Sequence, residues 1–146
     1  MELVNWGFLG LFIGTFLSAT ILPFPSDVIV IGIYEAGYSI TPCLVVATVG
    51  NLLGGLTNYY IGYKGHTEKL IKKFKLDENK LALWEMRLSK WGIYLGLISW
   101  IPLVGEPMLA ALGFFRVRLT PLIVMMFIGK FIRYFILTMG YLYLYK

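Results

Sequence analysis

The chain has 146 residues, of which 58% are apolar and 16% aromatic but only 14% charged, and its 13 Lys/Arg outweigh 8 Asp/Glu for a net charge of +5. Soluble domains run nearer ~45–50% apolar and ~25% charged, so lipid must cover much of this surface. A water-soluble enzyme or nucleic-acid-binding domain is set aside on composition alone.

The start, Met1-Glu2-Leu3, lacks the basic region of a cleavable signal, and Pro23-Phe24-Pro25 stands where a small-residue cleavage site belongs. The first apolar segment is therefore expected to stay in the protein. Its middle is interrupted by Pro23-Phe24-Pro25-Ser26-Asp27. Proline removes an amide donor and clashes with the preceding turn, and freed backbone at membrane depth is tolerated only beside protein or a wet cavity. The run reads as a re-entrant helical hairpin.

From Ile40 to Ile61 the chain is continuously apolar and long enough, at ~20 residues per crossing, to span a bilayer. The single cysteine, Cys43, lies inside this run, which excludes an intrachain disulfide and multi-cysteine metal sites. It reads as a small packing residue. Residues 64–90 then carry eight Lys/Arg and four Asp/Glu, with Leu70, Ile71, Phe74, Leu81, Trp84 and Leu88 at helical spacing among them and Trp91 just beyond. Such an amphipathic connector lies along an anionic headgroup surface. The lone histidine, His66, lies in this basic, polar stretch with no second histidine or nucleophile nearby, and no catalytic or ligand role is expected of it.

The second half repeats the order. Residues 91–113 are broken by Pro102-Leu103-Val104-Gly105-Glu106-Pro107, again predicting a re-entrant hairpin, and Leu119 to Leu142 forms a second continuous span. If the broken run crossed the membrane, Arg116 and Arg118 would lie opposite the basic connector, against the positive-inside rule. Re-entry instead puts ten of thirteen Lys/Arg on the cytoplasmic side. The halves also correspond at a constant offset of 79: Pro23 with Pro102, Asp27 with Glu106, Thr41-Pro42 with Thr120-Pro121, Gly50 with Gly129, and Asn51 with Lys130. Opposite entry sides make this an inverted repeat, the layout of many transporters.

Four ionisable residues sit within the apolar halves: Asp27, Glu106, Lys130 and Arg133. At ~2.5–3.5 kcal/mol for each central charge, leaving them unpaired would cost on the order of 10 kcal/mol. Their formal sum is zero, and Lys130 and Arg133 at i, i+3 share a helix face. Two acids at hairpin breaks can thus meet two bases on one helix, with Glu106 expected on Arg133 and Asp27 on either base. Asn51 and Asn58 share a face of the first span, and Ser18, Thr20, Thr57 and Ser99 add hydroxyls. Gly10/Gly14, Gly50/Gly54 and Gly92/Gly96 have the spacing that allows close helix packing. Tyr59, Tyr60, Tyr63, Tyr141, Tyr143 and Tyr145 fall at helix ends, where aromatic belts anchor membrane helices.

The acid-bearing first hairpin, the stretch Gly50-Asn51-Leu52-Leu53-Gly54-Gly55-Leu56-Thr57-Asn58-Tyr59, the hairpin Pro102–Pro107 and the run Gly129-Lys130-Phe131-Ile132-Arg133-Tyr134 together resemble the DedA superfamily. This is also called the VTT or SNARE-associated Golgi protein family, and the resemblance is closest to its small YqaA-like bacterial branch. It implies an inner-membrane protein that moves phospholipid or polyprenyl-phosphate carriers across the bilayer, with proton coupling proposed for bacterial members. Asp27 occupies the family's acidic position after the prolines. Ser18 stands where larger relatives place a glutamate, and Ser99 and Gly105 where they place arginines beside the second-hairpin proline.

The sequence therefore predicts one all-helical membrane domain over 1–146: hairpin and helix in 3–63, connector in 64–90, hairpin and helix in 91–146. Its expected role is lipid or lipid-phosphate translocation across the inner membrane, with the connector cytoplasmic. Asp27, Glu106, Lys130, Arg133, Asn51 and Asn58 are the binding or coupling residues, and Pro23, Pro25, Pro102, Gly105 and Pro107 the breaks. A coupled small-solute transporter and a non-transporting scaffold are the alternatives. No metal or cofactor is expected, nor enzymatic activity, because no nucleophile–base pair or phosphate-cradling loop is present. Membrane lipids and an anionic headgroup are the expected partners, with a homodimer possible and nucleic acid excluded.

Overall fold

The computed structural model describes residues 2–20, 25–65 and 68–145, so Pro23 and His66 lie outside the described residues. Seven α-helices are described: α1 (Glu2–Ser18), α2 (Ser26–Glu35), α3 (Ile40–Gly65), α4 (Glu68–Lys73), α5 (Glu78–Leu95), α6 (Gly105–Phe114) and α7 (Leu119–Tyr145). A 3₁₀ turn, Gly96–Ile98, extends α5, and no strand occurs among the described residues. α3 and α7, with 26 and 27 residues, are each long and apolar enough to cross a bilayer. Much of their apolar surface faces outward: Val45 and Leu53 on α3, and Val124, Ile132 and Ile136 on α7, are exposed.

Local chemistry sets the ends. Pro25 holds the extended conformation that precedes α2, and Pro107 sits in the first turn of α6, where its missing amide costs nothing. Both first turns carry an acid, Asp27 and Glu106, which the positive helix N-terminus favours. α2 ends on Gly37 at φ +85°, the left-handed conformation that glycine adopts at least cost. Asp77 caps α5 by accepting from the Asn79 amide at 3.0 Å.

The correspondence between halves extends to the backbone. α2 runs 26–35 and α6 runs 105–114, while α3 starts at 40 and α7 at 119, each pair 79 apart. The hydrogen bonds closing α2, Ala36 N–H to Gly32 O, Gly37 N–H to Tyr34 O and Tyr38 N–H to Ile33 O, recur in the same register. They reappear as Phe115 to Ala111, Arg116 to Gly113 and Val117 to Leu112. Arg116 even takes the positive φ of its counterpart Gly37, at 54°.

α3 and α7 pack antiparallel. Cys43, Leu44 and Ala47, early in α3, share a core with Tyr134 and Leu137, late in α7, whereas Leu52 and Tyr59, late in α3, share one with Leu122 and Met126. Between these two cores Asn51 meets Lys130, its own counterpart in the other half. The acid-bearing helices cross over: α6 lies on α3, and α2 reaches α7.

Glycine lets backbones touch at several crossings. A Cβ at Gly62 or Gly113 would run into the carbonyls of Ala110 or Tyr59, locking α3 to α6 without intervening side chains. Gly54 approaches the Phe16 carbonyl of α1, and Gly50 the Thr15 hydroxyl and the Phe12 carbonyl. Gly14 meets only the Ile29 side chain, and Gly10 meets nothing within 4 Å, so the first glycine pair is not the close contact its spacing predicts.

α5 runs unbroken from Glu78 to Leu95, carrying the helical spacing of the connector on past Lys90. One further expectation is corrected. Tyr59 is not a surface anchor: it is buried, and its hydroxyl donates to the Val117 carbonyl at 2.5 Å. Tyr60, Tyr63, Tyr143 and Tyr145 are exposed.

Candidate functional site

The two helix breaks and the middle of α7 converge. Lys130, with no solvent exposure, donates to Asn51 Oδ1 at 2.5 Å and to Glu106 Oε1 at 3.3 Å. Glu106 Oε2 accepts from Asn58 Nδ2 at 2.7 Å, and the same amide group donates to the Ala19 carbonyl at 2.7 Å. Asn51 Nδ2 donates to the Thr15 carbonyl at 3.3 Å. A buried ammonium and a partly buried carboxylate are thus held by each other and by two asparagines, as burial of charge requires.

One turn further along α7, Arg133 Nη2 donates to Asp27 Oδ1 at 2.8 Å and Nη1 to the Trp100 carbonyl at 3.2 Å. This pair is wetter: the side chains of Arg133 and Asp27 keep 15% and 37% of their surface exposed, against 1% for Lys130. Next to Arg133, buried Tyr134 donates to Ser26 Oγ at 2.9 Å, tying α2 to α7 beside Asp27.

A cavity of about 620 Å³ opens against this cluster. Its walls are polar on one side, with Ser18, Asp27, Asn51, Asn58, Glu106 and Arg133, and apolar along the second break, with Trp100, Ile101, Pro102 and Leu103. Its size falls within the range of small-molecule sites. Lys130 lies behind Asn51 and Glu106, so among the described residues lining the cavity Arg133 is the only cation.

The VTT-domain family profile matches residues 24–142. The chain is also 36% identical to the inner membrane protein YqaA of Escherichia coli (strain K12), over 85% of this chain and 83% of YqaA. The chain belongs to the VTT-domain, or DedA, family. Two further relatives of this VTT-domain protein are uncharacterized proteins of Haemophilus influenzae, 34% identical over 85% of this chain and 80% of that one, and of Methanocaldococcus jannaschii, 28% identical over 89% and 81%. No solved structure matches it.

All six binding or coupling residues singled out in the sequence of this VTT-domain protein meet in one cluster, but the partners differ from expectation. Glu106 is bonded to Lys130 and Asp27 to Arg133, not Glu106 to Arg133. The break residues Pro25, Pro102 and Pro107 line the cavity, and Gly105 packs its Cα against the Ser99 carbonyl where a side chain would not fit. The hydroxyls of Ser18, Thr20, Thr57 and Ser99 turn back on their own helices, donating to the carbonyls of Thr15, Leu17, Leu53 and Gly96. Tyr134 and Ser26 were not singled out; a tyrosine directly after a buried arginine, and a serine beside a buried aspartate, carry no separate signal of their own.

Proposed function

We propose that this VTT-domain protein translocates a phospholipid or polyprenyl-phosphate carrier across the inner membrane without catalysing a chemical reaction. The observation that carries this is a cavity of about 620 Å³ between two broken helices, largely apolar in its lining but holding a cation–carboxylate pair at its wall. Broken helices and retained charge in an apolar body mark transport pathways, and the E. coli relative YqaA carries the name of an inner membrane protein. In this reading the two halves form an inverted repeat of re-entrant hairpin and spanning helix. The antiparallel α3 and α7, meeting at Asn51 and Lys130, support it, because a dyad across antiparallel spans lies in the membrane plane. A lipid phosphate enters sideways between the breaks, its headgroup at Arg133 and its chains over the apolar rim.

Purified protein in liposomes, supplied with fluorescent phospholipid or a polyprenyl phosphate, is expected to move headgroups between leaflets. Arg133→Gln should reduce the rate at least tenfold while the protein remains folded. Equal rates in liposomes with and without protein would end the proposal.

Topology is tested independently. In a Cys43→Ala background, single cysteines at Gly65 and Arg116 are expected to label from the cytoplasmic side, and one at Tyr38 from the opposite side. Labelling of position 116 from outside would make the second hairpin a crossing.

A further inference from the structure

The two interfaces that bind the acid-bearing helices are built differently, although they occupy equivalent places. α6 meets α3 backbone to backbone, through Gly62 against Ala110 and Gly113 against Tyr59. At the corresponding positions α7 and α2 carry Tyr141 with Ile31 and Thr138 with Tyr34, whose bulk bars any such approach. α2 instead touches α7 through side chains: the Tyr34 and Tyr141 rings lie 5.2 Å apart, Val30 and Tyr34 share a core with Tyr134, and polar tips meet around them. Tyr34 and Thr138 hydroxyls lie 2.8 Å apart, Tyr134 reaches Ser26 at 2.9 Å, Tyr141 reaches Glu35 at 2.9 Å, and Arg133 reaches Asp27 at 2.8 Å. Of these, the Tyr34–Thr138 and Tyr134–Ser26 bonds are buried, whereas Arg133–Asp27 and Tyr141–Glu35 reach solvent and exchange with water or a ligand more readily than close-packed backbone separates.

The ion pair in this contact is the one that faces the cavity. Lys130 is sealed behind Asn51 and Glu106, so it serves as a positioning residue that fixes Glu106. Arg133 alone among the described cavity-lining cations presents a guanidinium, the group best shaped to take two oxygens of a phosphate.

Resting on the translocator reading above, we propose that Asp27 is a built-in competitor for Arg133. A phosphate-monoester headgroup binds by displacing the Asp27 carboxylate from that guanidinium, and in doing so unfastens α2 from α7 while α6 stays locked on α3. Ligand binding and opening of the α2 side are then one event. The dianion of a monoester prevails over a single carboxylate because it offers more charge and a bidentate edge. A headgroup whose phosphate is a monoanionic diester competes less well, which gives the site a preference for terminal phosphates.

The test uses the intact protein in neutral maltoside micelles with three probes: decyl phosphate, inorganic phosphate and decyl glucoside. Decyl phosphate is expected to bind, decyl glucoside not. Asp27→Asn should bind decyl phosphate about tenfold more tightly than the parent, a gain that misfolding does not produce, and Arg133→Gln should lose binding. If inorganic phosphate binds as tightly as decyl phosphate, the assigned oxyanion chemistry stands with a free phosphate as its source. Weaker inorganic phosphate binding assigns it to a lipid, and no binding of either overturns it. Hydrogen exchange on the unmodified protein should show faster uptake across 26–35 with saturating decyl phosphate and none across 105–114. Unchanged or slower uptake in 26–35, or unchanged affinity in Asp27→Asn, overturns the competitor role whatever the liposome assay gives. Tighter binding by Asp27→Asn without translocation by the parent keeps the competitor and removes the translocator.

Discussion

Lys130→Met is expected to destabilise the protein by about 3 kcal/mol, the lower end for a broken buried pair, because it leaves the partly buried Glu106 carboxylate without its cation. Asn58 alone cannot compensate; it already divides its amide between Glu106 and the Ala19 carbonyl. Glu106→Gln combined with Lys130→Met should restore most of that loss, since an uncharged amide beside an apolar chain of similar length removes both charges together. Equilibrium unfolding in mixed micelles, with the two single variants and the double, measures the coupling. A double variant as unstable as the sum of the singles would mean that the two residues act through separate partners.

The second large effect is steric. Gly62→Ala and Gly113→Ala each place a methyl inside a backbone carbonyl, of Ala110 and Tyr59 respectively, and neither neighbour can rotate away as a side chain would. The expected cost is about 3 kcal/mol for each, the upper end for overpacking a close-packed contact, with α6 displaced from α3. Gly10→Ala and Gly140→Ala meet nothing within 4 Å and should be neutral or stabilising by up to ~1 kcal/mol, the helix-propensity gain. Thermal unfolding of the four variants separates the two classes; equal shifts at Gly10 and Gly113 would mean that the contact is not tight.

The parts of this protein that are legible in its sequence are those set by local cost. Two uninterrupted apolar runs had to become long helices, and prolines with an acid had to stop the others, so the observed α3, α7 and both breaks follow from residue type alone. The meeting of four charges was legible for the same reason, since the cost of isolating each is large. Their partnership was not. Lys130 and Arg133 lie three residues apart on one face of α7, and the choice between them is made by α3, which brings Asn51 to Lys130 and Asn58 to Glu106. The same long-range packing took Tyr59 from an expected membrane anchor into the core. It left Gly10, with an unremarkable sequence context, facing open space.

The contact between Asn51 and Lys130 has a bearing on why both halves belong to one polypeptide. Each of these residues faces its own equivalent, as residues on a two-fold axis do in a symmetric pair of subunits. Two separate identical chains would have to place the same side chain on both sides of such an axis. Two lysines there would repel each other across a dry contact, and two asparagines would leave Glu106 without a cation. A single covalent chain escapes that constraint: at one position it holds an acceptor in one half and a donor in the other, so two halves of matching backbone register carry different charges.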